Sequence, residues 1–385
     1  MKLVHSNSPS IAQKGWRSQS PAALKALPKT RFKFTRIVDT QTPIPGCPGQ
    51  FSRLGLGAIA PGRIVFFGGN EYGYSGIYHA DGSGIKVVAD SQKSVLQGSY
   101  RFASFGSSPE FDDNNIIFLA QDTSGQIRLY QDTHYRLTPL VETEQQVLGD
   151  RFINIGNPAA RGGYLTFLAR LQSTGDKGLF LHHDGQTDGV AYQRLAGPLL
   201  QDIAGADVSA TGTVVFRGQD REYRMGIYRY RHQQVTPIAT THTLIPGGTG
   251  AFTALSNPTI EGDVVTFIGR GSLMQQGIYQ IGPNGIQAVV DVHTRMPVSL
   301  ELFSHFQSFA TCERRTVFLA GAAHGCFGLY LTEQQQLVKV IEIGDALDNA
   351  RVVGLHLGRR SLDAQGLVFK AQFEDGSCGL FRADG

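Results

Sequence analysis

The chain has 385 residues and a net charge of +3, and its 41% hydrophobic and 17% charged residues are typical of a globular protein. The weak positive charge and the lack of long Lys or Arg runs predict no nucleic-acid partner. No stretch approaches the roughly 18 apolar residues of a membrane span, and the four cysteines show no metal or redox spacing, so no membrane partner, metal or cofactor is expected.

Residues 1–30 are polar and precede the first regular element. They are predicted to form an N-terminal tail outside a single domain of residues 31–385. This segment holds Trp16, the only tryptophan, and has no apolar core of a secretory signal. The cytoplasm is therefore the expected location, and export through a leader missing from this chain stays open as an alternative.

From residue 31 onward, a block of about 50 residues occurs seven times. One phenylalanine marks each block, and its positions are Phe66, Phe118, Phe167, Phe216, Phe267, Phe318 and Phe369. An Ile or Leu follows each of them at a nearly constant spacing, at Ile77, Leu129, Leu179, Ile227, Ile278, Leu329 and Leu380. Two markers that keep one register indicate a true internal repeat. Both are expected to fill the core between neighbouring sheets.

Each block is predicted to contain four short strands, as residues 252–291 illustrate. Its inner strand covers 252–260, and the second, third and fourth strands cover 263–270, 277–281 and 286–291. Segments of this length, rich in Val, Ile and Phe and bounded by Gly, Asn and Pro, are typical of β-strands. Seven such blocks predict an all-β fold, a seven-bladed β-propeller with four-stranded blades.

The two ends of the repeat predict how the ring closes. The last block has its inner strand near residues 352–360 and stops after its third strand. Residues 31–39 resemble the fourth strands of the other blocks. We therefore expect this N-terminal strand to pair beside residues 379–382, which removes an open sheet edge.

Several stretches resemble a known family of repeat proteins. They are "NPTIEGDVVTF", "IVDTQTPIPGCPGQF" and "IATTHTLIPGGTGAF", and they are similar to bacterial tandem-repeat proteins named for an NxxGxxAF motif. The resemblance covers residues 32–384 and implies a propeller-like fold, although the Asn and Ala of the motif are missing from most blocks. It implies almost nothing about chemistry.

Propeller geometry places two sets of loops on one face, here called the loop-rich face. These loops connect a fourth strand to the next inner strand, or a second strand to a third strand. They are the longest and most varied loops of the sequence, and pockets form at channel mouths. The predicted binding residues on this face are Tyr72, Tyr74, Arg221, Arg270, His242 and His293.

The inner strands are expected to line a central channel. Alignment on the repeated phenylalanine gives these polar channel residues: Arg53, Ser104, Asn154, Asp207, His305 and Arg359. Together they would suit an anion or a polar ligand, although a wetted channel wall is polar in any case. The acidic stretch at 110–115 lacks the ligand spacing of an EF-hand and is predicted to be a solvated turn.

Two classes of function stay open. Because no nucleophile, phosphate or dinucleotide motif occurs, the sequence favours a monomeric binding module for a protein or a polar small molecule. The alternative is an enzyme, a lyase or hydrolase of a polar or anionic substrate. In that case His305 would be the acid/base, Asp207 would orient it, and Arg359 or Arg53 would neutralise charge.

Overall fold

The computed structural model describes residues 25–26, 32–95, 100–192, 200–334 and 336–385, with only the backbone of 25–26 and of Asn157. In this part of the chain every regular element is a β-strand, and the strands form seven separate sheets. Seven clusters of buried hydrophobic residues each join two neighbouring sheets, and one of them joins the last sheet to the first. The predicted seven-bladed β-propeller is therefore confirmed. None of the described segments is a helix with the length and apolar character needed to span a membrane.

The blades are numbered 1 to 7 in chain order, and each set of strands is given from the inner to the outer edge. Blades 1 to 3 consist of Arg53–Leu54, Ala58–Ala60, Arg63–Gly69, Ser75–Asp81 and Gly84–Asp90; Phe102–Phe105, Glu110–Asp112, Asn115–Asp122, Ile127–Thr133 and Arg136–Glu142; and Gln146–Val147, Asp150–Arg161, Tyr164–Leu171, Lys177–His183 and Gln186–Tyr192. Blades 4 and 5 consist of Leu200–Val208, Val214–Asp220, Met225–Arg231 and Gln234–Thr240; and Phe252–Leu255, Thr259–Glu261, Val264–Gly271, Gln276–Gly282 and Gly285–Asp291. Blades 6 and 7 consist of His305–Cys312, Arg315–Gly321, Phe327–Glu333, Gln336–Glu342 and Lys25–Ala26; and Ala346–Leu347, Ala350–His356, Gly366–Phe373, Cys378–Asp384 and Lys33–Asp39.

The N-terminal strand closes the ring as predicted. Lys33–Asp39 runs antiparallel to Cys378–Asp384, with Thr35 opposite Arg382 and Asp39 opposite Gly379. Ahead of this strand, Lys25–Ala26 pairs in parallel with Gln336 and Leu337 at the outer edge of blade 6. The rest of the predicted tail lies outside the described residues.

The repeated phenylalanines lie in the core, as expected. Phe66, Phe118 and Phe216 are wholly buried, and each stacks on a tyrosine of the third strand of its own blade, at ring distances of 5.5 to 5.7 Å. Such ring pairs add to the free energy of hydrophobic burial. Gly68 is needed beside them, because a Cβ atom there would lie 2.5 Å from the ring of Phe51.

Most inner strands change course near their middle, and this determines what faces the channel. In blade 2 the strand is interrupted at residues 106–109, and in blade 5 at residues 256–258. Blades 3 and 4 instead have bulges after Gly156 and Ala204. The interruptions coincide with Gly, Ser, Asn and Pro, which disfavour a regular ladder.

Blade 7 departs furthest from a regular inner strand. Its inner strand ends at His356, before the predicted end near residue 360. Residues 357–365, here called the floor loop, leave the sheet before the second strand begins at Gly366. This loop reaches into the channel on the side away from the loop-rich face.

Candidate functional site

The floor loop is fixed at both sides by neighbouring blades. On the blade 1 side, the amide of Ile59 donates to the carbonyl of Arg360 at 2.9 Å. On the blade 6 side, Nη1 of the buried Arg315 donates to the carbonyls of Asp363 at 3.0 Å and Ala364 at 2.9 Å. The loop is therefore a built part of the channel wall.

Arg359 extends from this loop to three other blades. Its Nε donates to Oε1 of Glu110 in blade 2 at 2.7 Å, and its Nη1 donates to the carbonyl of Ala206 in blade 4 at 2.8 Å. Its Nη2 donates to Glu110 and to the carbonyl of Pro158 in blade 3. Burial lowers the pKa of Arg359, but the carboxylates of Glu110 and Asp207 outweigh it and raise the pKa above its ordinary value. Arg359 therefore stays charged.

Arg360 forms the second ion pair of the channel floor. Its Nη2 lies 2.6 Å from Oδ1 of Asp207, which is wholly buried. The other oxygen of Asp207 accepts a hydrogen bond from the amide of Ile260 in blade 5 at 3.0 Å. Glu110, Asp207, Arg359 and Arg360 form what we call the floor cluster. Its two positive and two negative side chains balance each other, as buried charges require.

A cavity of about 570 Å³ lies against the floor cluster. Its wall includes Ser107 and Ser108, which lie in the interruption of the blade 2 inner strand, between the loop-rich face and Glu110, so the cavity lies on that side of the floor. Asn257 and Leu357 also line it, as does Lys177, which pairs with Asp202 at 3.2 Å. The volume is within the range of small-molecule pockets, and the wall mixes hydroxyl, amide and apolar groups.

The structure divides the six predicted channel residues between two levels. Asp207 and Arg359 belong to the floor cluster, and Asp207 lies near the lower end of its inner strand. The other four lie in the first half of their inner strands, and they are Arg53, Ser104, Asn154 and His305. In sequence they precede the repeated phenylalanine by more residues than Asp207 and Arg359 do. Because each residue of a strand advances by about 3.3 Å, these four lie nearer the loop-rich face.

The predicted triad of His305, Asp207 and Arg359 is not brought together. The His305 ring stacks on Phe327 of its own blade at a centroid distance of 5.6 Å, and its Nδ1 lies 3.0 Å from Oγ of Ser304. Asp207 meanwhile uses both oxygens in the floor cluster. Arg53, the other predicted charge neutraliser, donates to the carbonyl of Asn70 in its own blade at 3.2 Å.

The acidic stretch 110–115 is not the solvated turn that the sequence predicts. Glu110 is 4% exposed and Asp112 is 5% exposed, because both lie in the short strand that ends before the turn. The carboxylate of Asp112 accepts the amide of Gly163 in blade 3, and burial raises its pKa. Only Asp113 and Asn114 are exposed, so the prediction is wrong for the first half of the stretch.

Sequence reasoning missed Glu110 and Arg360 as channel residues. Glu110 precedes Phe118 by nearly the same spacing at which Asp207 precedes Phe216. An alignment of the lower ends of the inner strands would have found Glu110. Arg360 precedes Phe369 by the same nine residues at which Asp207 precedes Phe216, so that alignment would have found Arg360 as well.

The six binding residues predicted on the loop-rich face are spread over blades 1, 4 and 5. Five of them are exposed, and they are Tyr72, Arg221, Arg270, His242 and His293. The sixth, Tyr74, is half-buried. Within the described ranges, no three His, Cys, Asp or Glu side chains are grouped as a metal site would require.

Large exposed hydrophobic side chains are concentrated on the loop-rich face. Fourteen occur in the described part of the chain, and eleven of these are on loops of this face: Tyr72, Tyr100, Leu148, Tyr223, Leu244, Leu273, Met274, Val298, Leu300, Leu302 and Ile343. Ile153 and Val353 lie on inner strands, and Tyr135 lies in a turn of the opposite face. Predictions from the sequence included only Tyr72 of these.

No protein-family model and no curated protein matches this chain. Among solved structures, a prolyl endopeptidase has a TM-score of 0.53 at 12% identity, over 90% of this chain and 50% of that one. A puromycin-hydrolyzing peptidase of Mycobacterium tuberculosis has a TM-score of 0.53 at 15% identity, over 86% and 51%. This chain thus spans about half the length of both peptidases.

A third solved structure matches over most of both chains. It is the β-propeller domain of the Trilobed protease from Pyrococcus furiosus, with a TM-score of 0.51 at 11% identity over 76% of this chain and 85% of that one. At such low identity, these similarities show the fold alone. The chain is similar to known propellers in architecture.

Proposed function

We propose that this protein is a binding module that docks a protein partner onto its loop-rich face. The observation that carries the proposal is the one-sided distribution of exposed large hydrophobic side chains, with eleven of the fourteen in the described ranges on loops of that face. Clustered apolar side chains on a protein surface mark interaction sites, and tyrosines and arginines among them are typical anchors.

Tyr72 and Tyr223 are the best candidates for such anchors. They are 74% and 72% exposed, and each lies in a loop between a second and a third strand. The side chain of Asn70 accepts the amides of Tyr72 and Tyr74, at 3.0 and 3.1 Å, and holds the first loop in one conformation. Asp220 fixes the second loop through its hydrogen bonds with Arg224. Loops that are already ordered lose less entropy on binding.

The floor cluster supports a binding module over the alternative enzyme. A general acid or base needs a free position within hydrogen-bond reach of the substrate. Asp207 is wholly buried with both oxygens in use, and Arg359 binds one carboxylate and two backbone carbonyls. A lyase or hydrolase built from His305, Asp207 and Arg359 is therefore the weaker proposal.

The test uses quantitative mass spectrometry to compare the proteins that are captured by the wild-type chain, by a double variant and by a control variant. The double variant Tyr72→Ser/Tyr223→Ser removes both anchors, and Tyr135→Ser is the matched control, because Tyr135 is 60% exposed on the opposite face. We expect the double variant to lose its specific partners at least about tenfold and the control to keep them. Equal capture by all three forms would refute docking through the loop-rich face.

A polar small molecule is a second candidate ligand, and the cavity of about 570 Å³ favours it. The charges around the cavity are paired, which leaves the side chains of Ser107, Ser108 and Asn257 to contact an uncharged polar ligand. Native mass spectrometry of the purified protein tests this idea. A bound mass that is present in the wild type and lost in Ser107→Leu would support it, and a bare wild-type chain would argue against it.

A further inference from the structure

Three loops around blade 5 expose an unusual group of side chains. They belong to residues 241–251, 272–275 and 292–304, and their exposed large residues are Leu244, Leu273, Met274, Val298, Leu300 and Leu302. We call these six residues the blade 5 crest. All are aliphatic, whereas the exposed aromatic residues of the loop-rich face lie beside other blades.

The tip of the crest has a conformation that suits other residues far better. Ser272 to Gln275 form a tight turn in which the amide of Gln275 donates to the carbonyl of Ser272 at 3.2 Å. Both central residues are left-handed, with φ of 56° at Leu273 and 63° at Met274. Turns of this type strongly prefer Asn-Gly, since a side chain with a bulky Cβ is strained there. Leu300, in the third loop, is left-handed as well, with φ of 60°.

The position of Met274 is a glycine in most other blades. Met274 directly precedes Gln275, whose carbonyl accepts the amide of Gly271 across the base of the loop. In blades 1, 2, 6 and 7 the residue at the same point of the loop is a glycine with left-handed backbone, and these glycines are Gly73, Gly125, Gly325 and Gly376. Blade 4 has the anchor candidate Tyr223 there, with φ of 60°. Leu273 and Met274 are 86% and 85% exposed, so no burial offsets the strain. Backbone strain that no burial or packing of the side chain offsets is a sign of function.

The three loops hold the crest in place. The side chain of Gln275 donates from Nε2 to the carbonyl of Thr249 and accepts the amide of Thr249 at Oε1, both at 2.8 Å. In the third loop, Nη1 of Arg295 donates to the carbonyl of Leu300 at 2.9 Å. These bonds keep the aliphatic tips out in solvent instead of letting them fold back.

The charges around the crest are mainly positive. Arg270 and Arg295 are exposed beside it, and Glu301 is the only exposed acid of the three loops. A neighbouring acid, Asp291, is buried and accepts the amide of His293 at 2.9 Å.

We propose that the blade 5 crest docks onto an anionic lipid surface. Its aliphatic side chains would enter the boundary between headgroups and acyl chains, and Arg270 and Arg295 would contact the headgroups. A protein partner is less well supported at this place, because Leu and Val are under-represented among the anchors of protein interfaces.

Peripheral docking of this kind departs from the sequence-based expectation of no membrane partner. That expectation depends on the lack of a spanning segment, and the crest requires no span. The proposal shares the loop-rich face with the proposed function and assigns six of its eleven exposed hydrophobic residues to lipid, which leaves the aromatic anchors Tyr72 and Tyr223 for a protein partner.

Vesicle flotation tests the proposal with the full chain. One set of vesicles contains equal parts of phosphatidylglycerol and phosphatidylcholine, and the other contains phosphatidylcholine alone. The double variant Leu273→Asn/Met274→Gly supplies residues that this turn prefers, so its melting temperature should be equal to or higher than that of the wild type. We expect it to lower the fraction bound to anionic vesicles about tenfold, and Tyr135→Ser to leave it unchanged.

Other results would overturn the proposal. Wild-type protein that floats with neither vesicle, or a double variant that floats as well as the wild type, would exclude lipid docking by the crest. Equal binding to both vesicles would exclude a role of Arg270 and Arg295. Loss of a protein partner or of self-association in the double variant, without any vesicle binding, would assign the crest to a protein. Partners that still depend on Tyr72 and Tyr223 would show that the proposed function survives that failure.

Discussion

The two ends of the channel differ in how their charged and apolar side chains are placed relative to water. At the floor, two buried carboxylates and two half-buried arginines neutralise each other across the axis of the ring. At the loop-rich face, large apolar side chains stay in water, and some of them, such as Leu273 and Met274, occupy strained backbone positions. Buried charges that are fully paired hold a structure together, whereas exposed apolar groups that gain nothing from the fold are available to bind.

Removal of the closing strand should have the largest effect, because both ends of the channel depend on a closed ring. A chain that begins after Asp39 lacks the partner of Cys378–Asp384 and the core residue Val38, which leaves Leu380 uncovered. We expect it to lose the cooperative unfolding transition, measured by circular dichroism on heating. The control is a chain that begins at Phe32, which should unfold cooperatively. If both shortened chains melt like the full chain, the strand contributes little to the ring.

Asp207→Ala should separate the two ends most clearly. It leaves the half-buried Arg360 with only the more distant carboxylate of Glu110, at 3.7 Å, and the amide of Ile260 without an acceptor, at an expected cost of about 3 kcal/mol in the free energy of unfolding. The matched change at the other end, Tyr72→Ala, should cost almost nothing, because that side chain is 74% exposed. Urea unfolding measures both. Equal losses would contradict the division of roles between floor and face.

Substitutions in the strained turn at Leu273 and Met274 should stabilise the protein, whereas Asp207→Ala should destabilise it. Leu273→Asn/Met274→Gly relieves two left-handed residues and should raise the free energy of unfolding by about 1 kcal/mol. Leu244→Asn serves as the control, since Leu244 is 73% exposed but lies outside the left-handed region, and it should change stability little. A double variant less stable than the wild type would mean that the crest supports the fold after all.

The smallest expected effect is a pH dependence of the unfolding free energy, and it should come from His182, which lies outside the floor cluster. Burial, and to a lesser extent neighbouring His183, lowers the pKa of His182, so the folded chain binds this proton less readily than the unfolded chain. The unfolding free energy should therefore fall as pH drops below about 6.5, until the folded pKa is passed. His182→Asn retains a partner for Thr187, which lies 2.9 Å from Nδ1, and should flatten this slope. Urea unfolding at several pH values between about 7.5 and 5.5 measures it.

The floor cluster should not contribute to this pH dependence. The pKa of Arg359 is raised, so its charge is constant over this range. His79 also has a pKa lowered by burial, and it should account for part of the slope that remains in His182→Asn. A slope that His182→Asn leaves unchanged would contradict the assignment.

The ring could be predicted well because each core marker is local to its block. Phe66 and Ile77, for example, keep the same spacing as their equivalents because each fills an interface with a neighbouring blade, Phe66 towards blade 7 and Ile77 towards blade 2. The pairing of the floor residues with each other could not be predicted in this way. Arg359 and Glu110 are 249 residues apart, and the bulges after Gly156 and Ala204 shift the level that a residue number implies.

The loop-rich face was only partly predictable. Its location follows from strand order, but the left-handed backbone at Met274 is visible only by comparison with Gly125 and Gly376 in other blades. Exposure of Leu273 likewise depends on packing that periodicity does not encode. The resemblance to NxxGxxAF-type repeat proteins stays a prediction, as does the N-terminal tail.

The order in which a ribosome produces these residues has a consequence for the floor cluster. Glu110 emerges 249 residues before Arg359, and Asp207 emerges 153 residues before Arg360. Until blade 7 is made, both carboxylates lack the cations that later cover them, so early blades cannot reach their final packing at the axis. Contacts so distant in sequence slow folding. Nascent chains of this protein should therefore complete the packing at the axis only after Arg359 and Arg360 have been added.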